Sequence, residues 1–155
     1  MKPWSDLKNE APELEEVGRR LLLPSRPHVG YAFIATLRKD GAPRLHPISI
    51  VINKDHAYVI VPAKSPKCAD LLRDGRCALQ AFPPVPNDDG EEFYISGFAQ
   101  KIHDQKIRQS LIQDTQVFVE EDGVLFEVLL ERVMYTRLAG RGTPGEHPVH
   151  VTWRE

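Results

Sequence analysis

The chain has 155 residues, 41% of them hydrophobic and 27% charged, and a formal net charge of −2 from 20 basic and 22 acidic side chains. A chain of this size can bury roughly 70% of its unfolded surface around one core, which argues for a single domain over residues 1–155 and against a disordered chain. The near balance of charge gives no electrostatic footprint for nucleic acid or an anionic membrane surface.

The N-terminus, MKPWSDLKNE, carries charges where a signal peptide would place its apolar segment. The longest apolar runs, Tyr31–Leu37 and Ile48–Ile52, fall far short of the ~20 residues that span a bilayer. Cys68 and Cys77 are too few to staple a secreted fold, so reduced thiols and a cytoplasmic location are expected.

In chain order, Ser5 to Leu23 reads as a helix or helix pair, with Leu14, Val17, Leu21 and Leu22 at helical spacing and Glu15/Arg19 and Glu16/Arg20 four residues apart. Pro24 and Pro27 stop it. Tyr31–Leu37 is β-branched and aromatic enough for a strand, Lys39-Asp40-Gly41 is a turn, and a second strand runs from Pro43 to Ile52. Asn53-Lys54-Asp55 turns the chain into a third strand at Ala57–Val61, which predicts an antiparallel meander. Ser65-Pro66 has the chemistry of a helix start, serine as cap and proline at the first helical position, with Lys67–Arg73 to follow. Arg76–Phe82 is a fourth strand, Pro83–Gly90 a polar, proline-rich loop, and Glu92–Ile102 a fifth strand in which Gly97 marks a bulge or close approach. Asp104 caps a helix to about Ile112, Val124–Leu138 alternates as one long strand or two, Gly140–Pro148 is loop, and Val149–Trp153 is a closing strand. Many short antiparallel strands with a few small helices predict a mainly β fold, a barrel plugged by helices.

Two sequence motifs fail for want of context. Gly140-Arg141-Gly142-Thr143-Pro144-Gly145 matches the dinucleotide fingerprint, but no helix and no acidic residue about 20 positions on can follow it, so it reads as loop. His147 and His150 flank a proline with no third ligand nearby, and no C-x-x-C spacing joins the cysteines, so no metal site is expected. Arg44, His46, Ser49, Ser65 and Lys67 are more informative, because they gather cations and hydroxyls on adjacent elements. The loop from Pro62 to Lys67 leads into a helix N-terminus whose free N–H groups could cradle a phosphate. An ordinary capped helix with surface charges explains the same residues, and physics alone leaves both open.

The order of these pieces resembles the FMN-binding split-barrel family, the group that includes pyridoxamine 5'-phosphate oxidase. The resemblance rests on the Ala35-Thr36 strand, the Asp40-Gly41-Ala42-Pro43-Arg44 turn, His46-Pro47, the Ser65-x-Lys67 to Asp74 helix and the Tyr94–Ala99 segment. It covers Gly30 to about Ile102, with weaker agreement from Leu125 to Trp153. It implies a split barrel binding FMN, with Arg44 and Lys67 on the cofactor phosphate and Ser65 assisting. It further implies that His46, Pro47, Ile48 and Ser49, with Val61, Pro62 and Ala63, line the ring and ribityl chain. A homodimer with flavin at the subunit interface follows from the same resemblance, with Trp153 and Arg154 approaching the partner's flavin. Deazaflavin or haem in place of FMN, or a flavin carrier or sensor, are the alternatives within related barrels. The arginine- and histidine-bearing C-terminal segment of true pyridoxamine phosphate oxidases has no counterpart in T-W-R-E, and Ser49 stands where a substrate-binding lysine is expected. The expected activity is therefore FMN-dependent oxidoreduction of another, unidentified small molecule. No catalytic acid or base is assigned, although His46 alone in this region has a free pKa near neutrality.

Overall fold

The computed structural model describes residues 1–82 and 90–155; the proline-rich loop expected at Pro83–Gly90 lies almost wholly outside the described residues. The N-terminal helical segment resolves into a pair, α1 (Trp4–Glu10) and α2 (Pro12–Leu22), with Pro12 at the start of the second helix. The strands follow as β1 (Val29–Leu37), β2 (Pro43–Asn53) and β3 (His56–Pro62), then α3 (Pro66–Arg73), β4 (Arg76–Ala81) and β5 (Glu92–Lys101). The chain continues through α4 (Gln105–Thr115), β6 (Gly123–Ala139) and β7 (His147–Arg154).

The sheet order is β3-β2-β1-β4-β5-β6-β7, and an additional β3–β6 pairing closes the first six strands into a barrel. Every pairing is antiparallel. Lys54 and Asp55, both at positive φ, form the two-residue turn that pairs Asn53 with His56. Such turns twist in the same sense as the strands they join.

The length of β6 has a topological cause. Its first residues, 123–127, pair with β3, its last, 132–139, pair with β7, and β5 runs along the middle. One continuous 17-residue strand therefore serves both barrel closure and the extra edge. The closing strand is longer than the sequence suggested and begins at His147, so the expected loop at Gly140–Pro148 is shorter than predicted. Likewise α4 runs to Thr115, past Ile112, before Gln116 ends it in the left-handed region.

Gly97 is both things expected of it. The β5–β6 register shifts between Ser96 and Gly97, and a Cβ at Gly97 would sit 2.0 Å from the Leu129 carbonyl oxygen. The missing side chain lets two backbones approach where the strand bends.

Burial alternates along each strand, so the barrel interior fills from alternate residues. Ile34, Ile50, Ile52, Val59, Leu79, Ile95, Phe126 and Val128 share this core with Trp4, Leu7, Leu14 and Leu22 of the helical pair. A second cluster, Val51, Tyr58, Leu111, Val117 and Leu125, forms on the outer surface of β2 and β3, where α4 and the segment after it cover the sheet. Cys68 and Cys77 are buried free thiols, and burial pushes the Cys77 thiol up to about 12. No helix among the described residues is long and apolar enough to cross a membrane.

Candidate functional site

On β2 the buried residues Ile48, Ile50 and Ile52 face the barrel core, which turns Pro47 and Ser49 to the outer surface. On β3, Val59 and Val61 take the inner phase and leave Ile60 outside beside the second cluster. Between these outer faces, the start of α3 and the chain entering β6 lies a cavity of about 250 Å³. It is lined by Pro47, Ile48, Ser49, Ile60, Pro62, Lys67, Phe118, Glu120 and Gly123.

Five of the sequence-expected residues thus meet in one place: Pro47, Ile48, Ser49, Pro62 and Lys67. Four lining residues escaped the sequence reading. Ile60 follows from the alternation of β3, since it takes the opposite phase to Val59 and Val61. Phe118, Glu120 and Gly123 arrive from a segment 50 or more positions away, with no local signal for that proximity.

Ser65 caps α3, its hydroxyl accepting from the Cys68 amide at 3.3 Å and donating to the Pro62 carbonyl at 2.8 Å. That arrangement fixes the turn carrying Lys67 into the helix and occupies the hydroxyl proton. Val61 is buried in the core, Ala63 is exposed in the turn, and neither lines the cavity.

Arg44 is already paired within the chain. Its Nε donates to Asp70 Oδ2 at 2.7 Å, and Thr36 Oγ1 donates to the same oxygen at 3.0 Å. Arg73 reaches the other oxygen, Oδ1, at 3.2 Å and also the Leu37 carbonyl. Asp70 is 3% exposed. Burial pushes its carboxyl up, but the hydrogen bonds from Arg44, Thr36 and Arg73 outweigh that, and the net shift is downward. This network joins α3 to β1 and β2, and Lys67 takes no part in it. His46 is half-buried on β2 opposite Ile34 and does not line the cavity.

The C-terminal candidates do not line the cavity of their own chain. Trp153 is buried in its own chain, its indole N–H donating to Glu10 Oε2 at 2.9 Å with Lys2 Nζ 5.9 Å from the ring centre. Arg154 is exposed and pairs in register with Arg132. His150 Nδ1 lies 2.8 Å from Thr136 Oγ1, while His147 Nδ1 meets the Gly145 carbonyl at 2.8 Å. The glycine-rich segment 140–145 is a turn between β6 and β7, with no helix after it.

The model of the pyridoxamine 5'-phosphate oxidase family matches residues 24–136, more than half of the chain and the whole of the cavity. The chain belongs to that family. No protein of curated function matches in sequence. Among solved structures, a protein of Clostridium acetobutylicum related to general stress protein 26 is 12% identical with a TM-score of 0.61, over 96% of this chain and 94% of its own. A haem-binding protein of Mycobacterium smegmatis is 14% identical with a TM-score of 0.59 over 86% of this chain, which spans only 56% of its length. An F420 reductase is 19% identical with a TM-score of 0.53, over 73% of this chain and 93% of its own. At these identities the structural likeness establishes the split-barrel fold.

Proposed function

We propose that this split-barrel protein binds FMN at the β2–β3–α3 cavity and uses it for oxidoreduction of a small molecule. The observation that carries this reading is the convergence of a cation outside the Asp70 network, Lys67, with the Ser49 hydroxyl and the apolar Pro47, Pro62 and Ile60. Such a donor set fits a phosphate at one end and a ring system at the other. Bound flavin would supply the hydride chemistry, and this chain would supply binding, orientation and the local field. Lys67 would hold the phosphate as a mobile point charge. Arg44, its charge already opposed by Asp70, would contribute from the remaining guanidinium nitrogens.

Haem-binding and F420-dependent relatives make other cofactors the natural rivals. The lining that this chain supplies offers haem iron no histidine, cysteine, tyrosine or methionine as an axial ligand. The cavity is also smaller than the roughly 300–1,000 Å³ typical of ligand pockets, so part of a flavin would extend over the outer sheet face. There a second copy of the chain would complete the site.

The decisive experiment is the visible spectrum and mass of the cofactor that co-purifies. FMN, with its near-ultraviolet and blue bands, is the expected result; a haem Soret band or a deazaflavin mass would replace it with that cofactor. Turnover of the loaded protein with NADH or NADPH and an electron acceptor distinguishes an enzyme from a carrier.

A further inference from the structure

Phe118 is the most exposed large hydrophobic residue among those described, at 84%, yet the segment that carries it is anchored on both sides. Its neighbours on either side are anchored: Val117 is buried in the outer cluster with Val51, Tyr58, Leu111 and Leu125, and Val119 packs against that cluster. Arg108 of α4 clamps the next turn, donating to the Glu120 carbonyl at 2.9 Å and to the Gly123 carbonyl. The Gly123 amide closes the same turn onto the Glu120 carbonyl at 2.9 Å. The ring is therefore presented between two anchored flanks. It also lines the cavity that holds Lys67 and Ser49.

We propose that Phe118 covers the planar conjugated ring of the ligand and selects for ligands that have one. The inference rests on the function proposed above and identifies the residue that reads the ring end of the ligand. At about 250 Å³ the cavity is below the usual size of a ligand pocket, which places the ring system of a flavin at its mouth beside Phe118. An aromatic side chain held there gains an offset-stacked or edge contact on binding, and the anchored flanks lower the cost of ordering its segment. Lys67 and Phe118 would divide the ligand between them. The lysine would discriminate by phosphate, and the phenylalanine would bind phosphorylated and unphosphorylated flavins alike.

The test is titration of FMN and riboflavin into the wild-type chain and into Phe118→Ala, Phe118→Leu and Phe118→Trp, with light scattering on each. Phe118→Ala should weaken both flavins in parallel by about ten- to thirtyfold. Phe118→Leu should recover only part of that loss, since it restores bulk without a π face. Phe118→Trp should bind and should quench bound-flavin fluorescence beyond the wild type, a signature that a merely structural residue would not produce. Unchanged affinities in Phe118→Ala overturn the inference, and so does a change confined to oligomeric state, which would assign the ring to a second copy. A wild-type chain that binds neither flavin removes the proposed function and this inference together; flavin binding that ignores Phe118 removes the inference alone.

Discussion

Lys67 and Glu120 line the same small cavity with opposite charges, and the contrast between them makes the ligand's charge measurable. A hydrogen bond to a charged group is worth about 1.5–3 kcal/mol, so Lys67→Ala should weaken FMN by roughly ten- to a hundredfold. Riboflavin lacks the phosphate and should change far less. Glu120 acts in the other direction, since a carboxylate about 8 Å from a dianion costs about 1 kcal/mol even at the dielectric of water. Glu120→Gln should therefore tighten FMN by about fivefold and leave riboflavin unchanged. Fluorescence titration of both flavins into both variants reads the four affinities, and equal losses for FMN and riboflavin in folded Lys67→Ala would remove that residue from the phosphate site. Arg44→Ala is a less clean probe of binding, because it also strips a partner from the buried Asp70.

At the scale of elements, Asp70 is the joint between α3 and the sheet, bonded to Thr36 of β1 and Arg44 of β2. Removing one partner from a buried pair costs about 3–5 kcal/mol, and less where the other partner is partly exposed, as Arg44 is. Asp70→Asn should cost about 2–3 kcal/mol at neutral pH, lowering the melting point by about 5–10 °C. The folded-state carboxyl lies below its ordinary value. Its contribution is therefore complete above the unfolded carboxyl's pKa and is lost as pH falls through the depressed folded one. The gap between wild type and variant should narrow in that acidic window, and thermal unfolding by circular dichroism at pH 7 and down a series to pH 3 would show it. An undiminished gap at pH 3 contradicts the assignment. The elements themselves were readable because their signals are local: Ser65-Pro66 for α3, the Asn53–Asp55 turn, the alternation in β1 to β3. The Arg44–Asp70 pair spans 26 positions and the arrival of Phe118 at Ser49 many more. Nothing in a local pattern reports contacts between elements this far apart in the chain. Arg44 was thus legible as a cation on β2, but not as one already paired.

For the whole molecule, the outer face of β1 and β2 carries exposed apolar side chains among the described residues. Tyr31 is 61% exposed and Leu45 64%. Tyr31 stacks on Phe82, which also meets Phe33 edge-on at 4.3 Å between ring centres. In register, Phe33 lies opposite Pro47, so this aromatic group adjoins a wall of the cavity. We propose that a second copy covers this apolar face and completes the site beside it. The expected state is a homodimer whose association and flavin binding support each other. Tyr31→Glu together with Leu45→Glu places two like charges per chain in that contact, and neither residue lines the cavity. Light scattering should then show a monomer, and FMN affinity should fall at least tenfold, as binding lost through an incomplete site. A wild-type monomer that still binds FMN at micromolar concentration, or a doubly charged variant that stays dimeric with its affinity intact, would show that each chain holds its cofactor alone.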